Sequence, residues 1–102
     1  MSNGNGFTKF ISRFPNGTKF YFYFNDGVEV LCKLDTMYET DNGLEIADPL
    51  YEEYYAAAVE IIEVNQNNNE MNLFKVGQLT EVSNKNAPKW IKSLDSKVIW
   101  SR

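Results

Sequence analysis

A chain of 102 residues, 43% hydrophobic and 15% aromatic, is long and apolar enough for one packed domain, which excludes a disordered polymer. Histidine is absent, and with it go the commonest general base, the Ser-His and Cys-His nucleophile pairs and most transition-metal sites. The 10 lysines and arginines against 14 acids leave a formal net charge of −4, and no apolar run is long enough for a membrane-spanning helix.

Residues 1–5 are expected to be disordered, with a single domain over 6–102. The opening MSNGNG has no apolar core of a secretory leader, and the lone Cys32 can form no internal disulfide. Both lead to the expectation of a reducing, cytoplasmic setting. Phe7, Phe10, Ile11 and Phe14 recur at i, i+3, i+4 and i+7 and predict a short helix at about 6–14, stopped by Pro15-Asn16-Gly17.

The stretch from Gly17 to Leu34 predicts a β-hairpin. Phe20, Phe22 and Phe24 alternate with Tyr21 and Tyr23; Val28, Val30, Cys32 and Leu34 alternate with Glu29, Leu31 and Lys33. A two-residue turn would set the phenylalanines against Glu29 and Lys33. A three-residue loop, Asn25-Asp26-Gly27, pairs Phe24 with Val28, Phe22 with Val30 and Phe20 with Cys32, so every apolar side chain shares one face. The other face then sets Tyr21 opposite Leu31 and Tyr23 opposite Glu29. Cys32 is expected inside, as a small core residue.

The second strand is expected to run 28–40 with a bend or bulge, because it must pair on both sides. A second turn, Asp41-Asn42-Gly43, would pair Tyr38 with Ile46 and Thr40 with Leu44. After Asp48-Pro49, two patterns compete. A helical wheel gathers Leu50, Tyr54, Ala57, Ala58, Ile61 and Val64 on one side, predicting an amphipathic helix over 49–64 and an α+β fold. Alternatively one turn at 49–53 precedes a strand over 54–64 with Tyr55, Ala57, Val59 and Ile61 inside, giving a mainly β fold. Asn72–Val82 reads as a strand with Gly77 as a bulge or bend, 88–94 as one helical turn, and Lys97–Trp100 as a terminal edge strand. Trp90 and Trp100 are expected to pack as core or staple residues.

Charge is segregated. Between Leu34 and Phe74 lie Asp35, Glu39, Asp41, Glu45, Asp48, Glu52, Glu53, Glu60, Glu63 and Glu70, without one lysine or arginine. Such a run can steer the chain toward a basic partner. The acids around the second turn fail the calcium-loop test, since Tyr38 falls where the first carboxylate belongs. No metal, cofactor or catalytic residues are therefore assigned, and an enzyme is not expected.

The helix, the GTKFYFYFNDGVEVLCKL hairpin and the bent continuation to DNGLEI, over residues 6–47, resemble the opening of Sm-like and SH3-like small barrels. The resemblance implies a bent-strand barrel with a short N-terminal helix, and an RNA-base pocket in which Asp41-Asn42 would take part. The later Arg-Gly pair of that pocket is not present in this sequence. In composition the chain is also similar to small accessory proteins of Gram-positive bacteria and their phages.

The primary expectation is a mainly β, non-enzymatic binding module that contacts a protein with a basic surface, as an inhibitor or accessory protein. Its candidate contact residues are Tyr21, Tyr23, Glu39, Asp41, Asn42, Glu45, Asp48, Tyr51, Glu52, Glu53 and Tyr54, with Tyr55 as a further tyrosine anchor. Two alternatives remain open. One is nucleic-acid binding through Lys89, Trp90, Lys92, Lys97 and Arg102, which the net charge opposes. The other is a small-molecule pocket in the barrel. Self-assembly is also left open.

Overall fold

The computed structural model describes residues 6–24, 27–66 and 74–102. Expectations for residues 1–5, for Asn25 and Asp26 of the first turn and for the Asn-rich stretch 67–73 lie outside those residues. The elements are α1 (Phe7–Ile11), β1 (Lys19–Tyr23), β2 (Val28–Asp41), β3 (Glu53–Gln66), β4 (Leu79–Ser83), β5 (Trp90–Lys92) and β6 (Val98–Ser101). The six strands form one antiparallel sheet in the order β4-β3-β2-β1-β5-β6. The fold is therefore mainly β with a short N-terminal helix.

The first hairpin has the register its alternation demands. Phe20 pairs with Cys32, Tyr21 with Leu31, Phe22 with Val30 and Tyr23 with Glu29. The Phe24 N–H donates to the Val28 carbonyl at 2.8 Å, and Gly27 has φ 77°, the left-handed conformation that the end of a three-residue loop requires. Phe20, Phe22, Val30, Cys32 and Leu34 are buried. Burial also pushes the Cys32 thiol pKa far above its ordinary value, so the residue is inert packing.

The described residues form a single sheet and one five-residue helix, which can enclose a core only if the sheet curls. The buried cluster draws Phe7 and Ile11 from α1, Val59 and Ile61 from β3, Val82 from β4 and Ile91 from β5. Phe7 sits edge-on to Phe22 and to Trp100 of β6, each at 5.7 Å between ring centroids. Phe10 and Phe14 continue this aromatic cap over Phe20 and Trp100. The helix face read from the sequence is thus the packing face, although the helix ends at Ile11.

β2 does carry an expected bulge. Its pairing with β3 slips twice, between Leu31 and Cys32 and between Leu34 and Thr36. The first slip leaves Ile62 of β3 unopposed, and the second leaves Asp35 of β2 unopposed. An unopposed residue turns the following side chains to the other face. After Asp35, Met37, Glu39 and Asp41 therefore share the core side, while Thr36, Tyr38 and Thr40 point outward.

The contest over 49–64 goes to the strand. β3 pairs with β2 from Asp41↔Glu53 to Val28↔Gln66, and Leu50, which the helical reading needs inside, is 75% exposed. Three consecutive alanines allow this. Ala57 packs in the core beside Val82, while Ala56 is buried on the opposite face beside Ser83. Tyr55, expected inside, is exposed.

Three further expectations are corrected. The second turn is not a tight hairpin: Tyr38 pairs with Ala56 and Thr40 with Tyr54, leaving 42–52 as a loop. Pro49 has no N–H for a ladder, and β3 offers β2 a far longer partner. Gly77 (φ 88°) is a turn before β4, its N–H bound to the Ile61 carbonyl at 2.7 Å, so that strand begins at Leu79. Residues 90–92 are strand β5, held to β1 by Tyr21↔Lys92, Phe22↔Ile91 and Tyr23↔Trp90. The terminal strand, β6, is the sheet edge as expected.

Candidate functional site

Neighbouring strands do not follow β2 and β3 to their ends. β1 reaches along β2 only to Lys33, and β4 reaches along β3 only to Ala56. Beyond the Tyr38–Ala56 pair the ladder is two-stranded, and residues 41–50 are all exposed. This is an arm, residues 39–55, attached to the rolled sheet. It carries Glu39, Asp41, Glu45, Asp48, Glu52 and Glu53, and no lysine or arginine.

A two-stranded ribbon is marginal by itself, and the loop at its end is tied by side chains. The Asn42 amide donates to the Leu50 carbonyl at 2.8 Å, and its oxygen accepts from the N–H groups of Leu44 and Glu52, each at 3.4 Å. Asp41 accepts from the Gly43 N–H and Asp48 from the Leu50 N–H, both at 2.8 Å. Asp48 thus holds a turn of the loop. Asn42, offered as a base contact by the Sm-like resemblance, is spent on closing the loop. At the tip Ile46 is 79% exposed, with Leu44 and Leu50 beside it among the acids.

The outward side of the arm's base is a closed polar network. The Tyr38 hydroxyl donates to Glu81 Oε1 at 2.5 Å and the Tyr54 hydroxyl to Glu81 Oε2 at 3.3 Å. Lys85 lies 4.9 Å over the Tyr54 ring and pairs with Glu52. Burial, and then the Glu81 bond, push the Tyr38 pKa up to about 12. Burial followed by the Glu81 charge raises that of Tyr54, while the bond to Glu52 raises that of Lys85. Tyr51 is pushed up to about 12, chiefly by its 2.8 Å bond to Glu53.

Nine of the eleven candidate contact residues therefore fall on the arm. Tyr21 and Tyr23 do not. They sit near the opposite end of β2, where Tyr23 stacks on Trp90 at 4.1 Å and borders a shallow hollow of about 520 Å³ with Glu29, Asn65 and Lys92. Trp90 is packed against a tyrosine, as a staple, and Trp100 belongs to the core cap. Of the cations offered for nucleic acid, Lys92 pairs with Glu29 at 3.8 Å and Lys97 with Asp95 at 3.9 Å. Among the described residues no group of three acids or thiols is placed to hold a metal ion.

Sequence reasoning missed Lys85 and Glu81, which reach the arm from β4 and the loop after it. It also missed Met37, which the Asp35 bulge turns inward. Lys33 adds a second local neutralisation, pairing with Glu60 at 3.4 Å. None of Glu39, Asp41, Glu45, Asp48 and Glu53 has an ion-pair partner among the described residues.

Fold and surface define a small β-rich protein whose distinguishing feature is an acidic, apolar-tipped arm. The model of one protein family, described as cognate immunity protein YxxD, matches residues 3–102, and the chain belongs to that family. No curated protein and no solved structure matches it. Membership implies a role in binding a protein partner, the toxin to which an immunity protein is cognate.

Proposed function

We propose that the protein neutralises its toxin by non-catalytic binding, and that the arm of residues 39–55 is the contact. The observation that carries this reading is the arm's composition: six acids, no base, and Leu44, Ile46 and Leu50 exposed at the end. Apolar anchors within a charged rim are the ordinary anatomy of a protein interface. The acids would steer the arm toward a basic surface of the toxin and disfavour partners without one.

The experiment is the association rate with the purified cognate toxin across ionic strength. Steering predicts that the rate falls by roughly tenfold or more between low and high salt. Reversing Glu45 and Asp48 to lysine should lower the rate at low salt and flatten its salt dependence. An association rate that ignores salt and these reversals counts against the reading.

A further inference from the structure

The two faces of the arm are not equivalent. On the outward face Tyr38, Tyr54 and Glu52 are already partnered inside the chain, by Glu81 and Lys85. On the inward face the cross-strand pairs are Met37–Ala57, then Glu39–Tyr55, then Asp41–Glu53. Reading away from the core, the ladder passes from apolar through mixed to doubly acidic. The last step sets two like charges directly opposite each other, an arrangement that destabilises a ladder unless a cation joins it.

Beside the first step lies a groove. Thr8, Lys9 and Ser12 of α1 and the turn after it face Met37 and Tyr55 across a space of about 350 Å³. Tyr55 is 61% exposed and forms its rim. The groove is mainly apolar in lining and large enough for one bulky side chain. Same-face positions along a strand are separated by about 7 Å. Glu39, directly opposite the rim residue Tyr55, thus lies one such step beyond Met37, and the Asp41–Glu53 pair two steps.

We infer that the inward face of the arm, and not its outward face, receives the toxin. The toxin segment would seat one apolar or aromatic side chain between Tyr55, Met37 and α1. Lysines or arginines about 7 Å and 14 Å beyond the level of Met37 would meet Glu39 and the Asp41–Glu53 pair. This rests on the arm being the contact, and it adds the face, the groove and the chemistry of the docked segment. Charge complementarity selects the toxin as occupant: the face has an acidic row with no lysine or arginine in ion-pair distance among the described residues, which a second copy of this acidic chain would not relieve.

Titration calorimetry of the full chain with the purified cognate toxin tests the assignment. Glu39→Lys, Glu53→Lys and the groove-filling Ser12→Trp should each weaken binding by roughly 30-fold or more, the scale of an interface hot spot. Tyr38→Phe and Glu81→Gln, on the outward face, should stay within about threefold. Circular dichroism of each variant checks the fold, and the two exposed charge reversals carry the test if Ser12→Trp misfolds. Loss of binding from the outward pair alone overturns the face assignment while leaving the arm as the contact. No loss from any arm variant, the tip reversals included, overturns both. If Ser12→Trp leaves toxin binding intact and instead changes the sedimentation coefficient of the free protein, the groove is a contact between copies and the inference is wrong.

Discussion

β2 and β3 run through two environments, and the contrast between them shows how one ladder can hold both a core and an interface. Up to Leu34 and Val59 the inward side chains are Val30, Cys32, Leu34, Val59 and Ile61, all buried. Past the Asp35 bulge the same side of the same strands carries Glu39, Asp41, Glu53 and Tyr55, all exposed. The near half gains its stability from burying apolar area. Among the described residues the far half has no third strand, and it has little apolar burial and like charges facing one another. It persists because the loop ties of Asn42 and the Tyr38–Glu81–Tyr54 network hold its two ends.

The sharpest way to break the contrast is to attack each half with comparable substitutions. Phe22→Ala in the near half should cost about 3–5 kcal/mol in chemical denaturation, a large share of the ~5–15 kcal/mol that a domain of this kind possesses. If Phe22→Ala proves mild, the core is not where the stability lies. Asn42→Ala should cost about 1 kcal/mol, through its lost loop bonds. Its effect on hydrogen exchange should be confined to the arm, leaving β1 and the near half of β2 as protected as before. Glu53→Gln should stabilise the free protein by about 0.2–1 kcal/mol, by relieving the repulsion with Asp41, while weakening toxin binding. A variant that gained stability and kept full affinity would separate the acid pair from function.

The smallest expected effect is spectroscopic. The Tyr38 phenol ordinarily titrates near ~10 and is pushed up to about 12 here by burial and by Glu81. With its folded pKa above the unfolded one, the group's contribution to stability is complete below pH ~10 and is lost as pH rises toward 12. Ultraviolet titration should show this late phenolate, and Glu81→Gln should move it to lower pH. An unmoved midpoint would remove Glu81 from the outward network.

The near half was legible because its information is local. From Phe20 to Leu34, parity alone excludes every turn length that would set phenylalanine against lysine, and the observed register follows. The far half was legible in composition and not in geometry. Residues 54–64 satisfy both a helical wheel and a strand pattern, and the ladder that decides between them is made with β2, distant in sequence. Asp41-Asn42-Gly43 has the letters of a hairpin turn, yet these residues close a longer loop, for which Pro49 was the available sign. The face of each acid depended on one unopposed residue, Asp35. Extending the alternation from Leu34 without the bulge would place Tyr38 inside and Glu39 outside, the reverse of what the structure shows. Lys85 and Glu81 were out of reach for the same reason as β3, because their partners lie 27 or more positions away.

Amide hydrogen exchange of the protein, free and bound to its cognate toxin, addresses the central claim most directly. New protection should concentrate in residues 37–55 and in α1 through Ser12, with the Tyr23–Trp90 surface of β1 and β5 unchanged. Protection confined to β1, β5 and β6, with the arm exchanging as fast as in the free protein, would contradict it.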